Sequence, residues 1–156
     1  MHRNTTPTRS EANDIQAAIS DGVDCIILSE KISNPPAVNM LAKCCAESEK
    51  CLDYRKLFND TKLYSPAPYG TAESVAAAAV SAVLDLKVDL IVIFTETGKL
   101  TRLVAKYKPE VSVITASSSD IVLKQVTALR GVIGVYVKPD MDEDTMQSTV
   151  FLEAKR

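Results

Sequence analysis

Residues 89–109, DLIVIFTETGKLTRLVAKYKP, constrain the fold more than any other stretch of this 156-residue chain. The LIVIF segment at 90–94 is a short unbroken apolar run, the pattern of a strand buried on both faces of a parallel sheet. The chain then turns through Thr95 to Gly98. Leu100, Leu103, Val104 and Tyr107 follow at i, i+3, i+4 and i+7, the inner face of a helix over 100–108 that Pro109 stops. A strand, a small polar turn and a helix N-terminus gather free backbone N–H groups, the hydroxyls of Thr95 and Thr97, and the Lys99 ammonium. Such a point attracts phosphate or carboxylate. Ordinary strand-to-helix turns also need small polar residues and a cap, so the residues alone leave both readings open. The turn is not a nucleotide-binding P-loop, because the first glycine and the loop length are missing.

The flanking segments repeat this rhythm. An Ala/Val-rich helix is expected over 71–86, capped by Thr71, with small residues for close packing on a sheet. A strand follows at 111–115, then a second hydroxyl-rich turn at Ser117, Ser118 and Ser119, a helix over 121–130 closed by Gly131, and a strand at 132–137. Alternation of this kind predicts an α/β fold whose parallel sheet is covered on both faces. Upstream, TRSE at 8–11 matches a capping box, with Ile15, Ala18 and Ile19 as the inner stripe of a helix ending at Gly22. Residues 25–28 read as a second buried strand. A helix over 38–52 has Val38, Leu41, Cys45 and Leu52 available for packing. The stretch 54–70 holds Pro66, Pro68 and Gly70 with little periodicity and reads as a linker. Residues 146–154 read as a helix after an acidic start.

A formal net charge of −2 leaves no electrostatic footprint for nucleic acid. No apolar run is long enough for a membrane span and no signal peptide opens the chain. Cys25, Cys44, Cys45 and Cys51 lack metal-ligand spacing and read as reduced thiols of a cytoplasmic protein. His2 is the only histidine, so a Ser/His or Cys/His catalytic pair is not expected.

Taken in order, several segments resemble pyruvate kinase. PTRSE at 7–11 resembles that family's PTRAE, DGVDCIILS at 21–29 its DGADCVMLS, and AESE at 46–49 its AEAE. TETGK at 95–99 with VAKYKP at 104–109 resembles TxSGxxA…VARYRP, and LRG at 129–131 resembles YRG. The resemblance implies a C-terminal, three-layer α/β sandwich with a mostly parallel sheet, preceded by a fragment of a (β/α)8 barrel. Its divisions would be residues 1–53 as the last helix–strand–helix part of the barrel, 54–70 as a linker, and 71–156 as the C-terminal domain, truncated at its end. In the whole family enzyme the barrel transfers a phosphoryl group from phosphoenolpyruvate to ADP with Mg²⁺ and K⁺, as a step of glycolysis.

The family's catalytic and metal-binding residues precede PTRAE, so no catalytic or metal-ligating residue is expected among these 156. The family's LSGETAxGxYP loop appears as LSEKISNPP at 28–36, with Glu30, Lys31 and Ile32 in place of Gly, Glu and Thr. Thr95, Thr97, Gly98 and Lys99 fall on the family's effector phosphate turn, with Leu100 in place of a small or hydroxyl residue and Glu96 beside the anion position. The implied partners are a sugar-phosphate effector and either a second copy or a complete pyruvate kinase subunit. Against the enzyme-piece reading stand a non-catalytic effector-binding or subunit-assembly module and a non-functional truncated product.

Overall fold

A computed structural model describes residues 6–29 and 34–154. Glu30, Lys31, Ile32 and His2 lie outside the described residues. The chain divides into two compact units, Met1–Asp53 and Tyr54–Arg156.

The first unit pairs α1 (Arg9–Ser20) with α2 (Pro35–Glu49). The capping box forms as read: Thr8 Oγ1 accepts the Glu11 N–H, and the Glu11 carboxylate accepts the Thr8 N–H. Asn34 caps α2 through the Ala37 N–H, with prolines in its first turn, where a missing N–H costs nothing. Ile19, Ala37 and Leu41 are buried, whereas Val38, expected inside, is half exposed. The strand expected at 25–28 does not form, and Ile27 is 90% exposed. An apolar run becomes a strand only where a neighbouring backbone completes the hydrogen-bond ladder. Every strand among the described residues lies in the other unit.

The second unit opens with α3 (Tyr54–Tyr64) and α4 (Thr71–Leu86). Residues 54–64 are therefore helical, within the stretch 54–70 that reads as a linker from sequence. Phe58 anchors this helix: it is buried and packs against Tyr107 at 5.6 Å between ring centroids, so tertiary contact fixes the apolar face that Tyr54, Leu57 and Phe58 provide at helical spacing. The cap of α4 is Gly70 rather than Thr71, and it makes no side-chain cap bond.

Strands β1 (Leu90–Phe94), β2 (Ser112–Ser117) and β3 (Val132–Tyr136) form a parallel sheet in the order β1-β2-β3. Register places Ile91 beside Val113 and Val113 beside Val132. Side chains alternate between faces. Ile93, Val113 and Val132 join Ala76, Val80, Val104 and Tyr107 in one core beneath α4, α5 (Lys99–Lys106) and α6 (Asp120–Val126). Ile114, Ala116, Val135 and Val137 face the other way, onto Val150 of α7 (Glu143–Ala154). The sheet is thus covered on both faces, giving the three-layer α/β arrangement. Helix α6 is shorter than the expected 121–130. The Thr127 hydroxyl takes the Lys124 carbonyl at 3.0 Å, and the chain turns through 127–130 to Gly131, whose φ is +72°.

Candidate functional site

Parallel strands point their carboxyl ends the same way, so the turns after β1 and β2 and the segment after β3 gather at one end of the sheet. The turn after β1 holds all four residues singled out in the sequence. Thr95 continues the ladder, its N–H donating to Ala116 O at 3.0 Å. Its Oγ1 accepts the Gly98 N–H at 3.0 Å, and Thr97 Oγ1 accepts the Lys99 N–H at 3.4 Å. The two hydroxyl oxygens thus fold inward onto the turn's own N–H groups. Each hydroxyl proton remains available to donate to an anion.

Gly98 is required here twice over. Its φ is +70°, and a Cβ would lie 3.0 Å from Cγ1 of both Val122 and Val126 on α6. The turn is pressed onto α6, and only a residue without a side chain allows it. Gly98 also heads α5 without any side-chain cap. The first regular bond of α5 runs from Arg102 N–H to Gly98 O, so with the Lys99 N–H turned onto Thr97 Oγ1 the amides of Leu100 and Thr101 remain as the open N-terminus of the helix dipole.

Lys99 is exposed at the first helical position. Leu100 is explained by packing: it is half-buried against the core beneath α4 and α5. Below the turn, Thr101 of α5 and Thr115 of β2 are both 0% exposed and share a hydroxyl–hydroxyl bond of 3.0 Å, which ties the helix to the central strand. Sequence reasoning missed Arg102. Its Nη2 lies 3.5 Å from Thr97 O and 3.0 Å from Gln125 Oε1, placing a second cation at the turn. Its position three residues after Lys99, on the same helical face, was the available signal.

The far end of α5 is held separately. The Lys106 ammonium and the Tyr107 hydroxyl both bond the Glu73 carboxylate of α4. The hydrogen bond from Lys106 holds the Glu73 carboxyl below its ordinary range, and the same bond raises Lys106. Burial raises Tyr107. All three groups stay in the protonation states that keep α4 and α5 together near neutrality.

Beside the turn lies a cavity of about 400 Å³ at the carboxyl ends of all three strands. Phe94, Ala116, Val137 and Met146 form its apolar wall, and Thr95, Glu96, Ser117, Ser118 and Lys138 its polar rim. The cysteines are free thiols, Cys25 and Cys51 exposed, and burial raises the Cys45 thiol. Among the described residues no group of three His, Cys, Asp or Glu side chains could hold a metal ion. No helix among the described residues is long and apolar enough to cross a membrane.

The pyruvate kinase alpha/beta domain family matches residues 73–156. The pyruvate kinase of Dictyostelium discoideum is 40% identical over 153 residues, covering 94% of this chain and 30% of that protein. That of Eimeria tenella is 36% identical, covering 99% of this chain and 30% of its own length. The crystal structure of Cryptosporidium parvum pyruvate kinase superposes with a TM-score of 0.90 at 31% identity, over 97% of this chain and 32% of that one. The chain therefore spans about 30% of the length of the curated relatives it matches. A matching family domain over more than half the chain, the same fold, and relatives that share it nearly end to end agree: the chain belongs to the pyruvate kinase family.

Proposed function

We propose that this chain serves as the C-terminal α/β part of a pyruvate kinase, where it recognises a phosphorylated small molecule rather than performing the chemistry. In this reading, phosphoryl transfer from phosphoenolpyruvate to ADP, with its Mg²⁺ and K⁺, belongs to the catalytic part of a complete subunit. Such a subunit, or a second copy of this chain, would be the assembly partner.

The observation that carries the reading is the turn itself. It is aimed by β1, held down by Gly98 against α6, leads into α5 through a residue with no capping side chain, and is flanked by Lys99 and Arg102. An anion there meets two cations, two hydroxyl protons and a helix dipole. Glu96 opposes it: one like charge about 4 Å away costs roughly 1–4 kcal/mol between water and surface dielectric. The balance gives a dissociation constant of roughly millimolar, about −4 kcal/mol.

Two measurements test this. A coupled assay on the purified 156-residue chain should show no Mg²⁺-dependent conversion of phosphoenolpyruvate and ADP, and turnover above buffer would refute the non-catalytic assignment. Titration of the ¹⁵N-labelled chain with a sugar bisphosphate should move the Gly98 and Lys99 amides. Glu96→Lys should tighten the response and Lys99→Glu abolish it. A turn that stays still in wild type and Glu96→Lys alike is ordinary strand-to-helix punctuation.

A further inference from the structure

Strand β1 has the make-up of an interior strand and the position of an edge strand. Its five residues are all apolar, yet the sheet order β1-β2-β3 leaves it one neighbour. Successive N–H groups along a strand point to opposite edges. The Thr95 N–H donates to Ala116 O of β2, so the backbone groups of Ile91 and Ile93 face β2 as well. Those of Leu90, Val92 and Phe94 face outward, and none has a partner among the described residues. Edge strands ordinarily carry a lysine, a proline or a bulge that blocks further pairing. Strand β1 carries none of these. The opposite edge is different: Gly134 interrupts β3, and Leu123 of α6 comes within 3.3 Å of where its Cβ would lie.

Beside the open edge an apolar groove runs between β1 and α7, lined by Val92, Phe94, Gln147, Val150 and Phe151. Phe94 is 47% and Phe151 57% exposed. Four charges without an ion-pair partner among the described residues flank β1: Lys87 and Asp89 before it, Glu96 and Lys99 after it. A second β1 laid alongside in parallel and in register would set each of these charges against its like. Laid antiparallel, it gathers two cations and two anions at either end of the seam. The charge pattern therefore suits a second copy of the same strand in one direction only.

We propose that two copies of this chain associate through β1, paired antiparallel about Val92, so that two three-stranded sheets become one. Leu90 of each copy exchanges both backbone hydrogen bonds with Phe94 of the other, and the two Val92 residues do so with each other. Leu90, Val92 and Phe94 share the face that α7 covers, so the two apolar grooves join across the seam. A twofold contact of this kind is closed and leaves no β1 edge free. At about 150–250 Å² per aromatic side chain, Phe94 and Phe151 of the two copies remove roughly 300–500 Å² from water. The interface is small, which sets a dissociation constant of roughly 10–100 μM. The inference gives a surface and a register to the assembly part of the proposed function, on which it rests for the choice of a second copy; it is independent of the anion part.

The experiment is sedimentation equilibrium of the 156-residue chain at concentrations from about tenfold below to about tenfold above that constant, with amide exchange measured on the same samples. The mass should rise from monomer to dimer. The amides of Leu90, Val92 and Phe94 should become about tenfold slower to exchange as it does, whereas those of Ile91, Ile93 and Thr95 should be slow at every concentration. Val92→Pro removes an outward N–H and no ladder bond, and Phe94→Lys places a charge in the seam. Each should keep the wild-type circular dichroism and remain a monomer throughout. A wild-type chain that is monomeric at every concentration overturns the proposal, and leaves a complete subunit as the partner for the assembly reading. A dimer whose outward amides exchange as fast as in the monomer also overturns it, and places assembly on another surface without a variant being needed. The anion reading is followed separately, by the bisphosphate response of Gly98 and Lys99.

Discussion

Replacing Gly98 with alanine separates two costs that one residue combines. A left-handed backbone costs an L-residue about 1–2 kcal/mol. The added Cβ would also lie 3.0 Å from two valine methyls of α6, tighter than nine in ten real Cβ contacts, and overpacking of this kind costs about 1–3 kcal/mol. Gly98→Ala should therefore destabilise the chain by about 2–5 kcal/mol, a large part of the roughly 5–15 kcal/mol that holds an ordinary domain folded. The chain carries its own controls. Gly131 has a φ of +72° with no atom within 4 Å of an added Cβ, so Gly131→Ala should show only the backbone part. Gly70 has φ −70° and equally open space, so Gly70→Ala should lie within about 0.5 kcal/mol of wild type. Urea unfolding followed by far-ultraviolet circular dichroism, under reducing conditions for the four cysteines, measures all three. With a slope of about 1–2 kcal/mol per molar, Gly98→Ala should unfold about 1 M below Gly131→Ala. Equal midpoints for those two variants would refute the claim that the turn is pressed onto α6. A Gly98→Ala protein that folds normally should also show a weakened bisphosphate response, because the positive φ and the two close valine methyls both press the turn away from its present path.

The buried pair of Thr101 and Thr115 should behave as a unit: either single change to valine leaves one hydroxyl unsatisfied and costs about 1–3 kcal/mol, while the double change costs less than the sum of the two. Additive costs in a double-mutant cycle would show that the hydroxyls do not depend on each other. The Glu73–Lys106 link predicts a signed pH dependence. Glu73 has a lowered folded pKa, so its contribution is complete above the ordinary value of 4.5 and is lost as pH falls through the lower folded value. Lys106 has a raised folded pKa, so its contribution is complete below the ordinary value of 10.5 and is lost as pH rises through the higher one. Glu73→Gln should accordingly be destabilising at neutral pH and should narrow its gap to wild type in acid. A gap that stays constant from pH 7 down to pH 3 would contradict the assignment.

Local chemistry was legible wherever one segment carries its own instructions. The run at 90–94 became β1, the helix over 71–86 formed with those bounds, and Thr8 with Glu11 closed the capping box. In each case periodicity or a three-residue spacing specifies the outcome, because the interacting groups are neighbours in the chain. The turn was legible for the same reason: Thr95, Thr97, Gly98 and Lys99 are consecutive or nearly so, and their hydrogen bonds close within it.

What the sequence could not contain is partnership between distant segments. Residues 25–28 have the composition of a strand, but composition supplies no neighbouring ladder, and Ile27 stays in solvent. Residues 54–64 carry helical spacing inside a stretch that also holds Pro66, Pro68 and Gly70, and the helix takes its place where Phe58 finds Tyr107 far along the chain. Only packing shows that Gly98 is obligatory because of Val122 and Val126, and that Thr101 and Thr115 spend their hydroxyls on each other. Only the parallel register, which brings the carboxyl ends of β1, β2 and β3 together, sets Glu96, Ser117 and Lys138 around one cavity. Sequence periodicity records which face of an element is apolar; what that face meets is decided when the chain closes on itself.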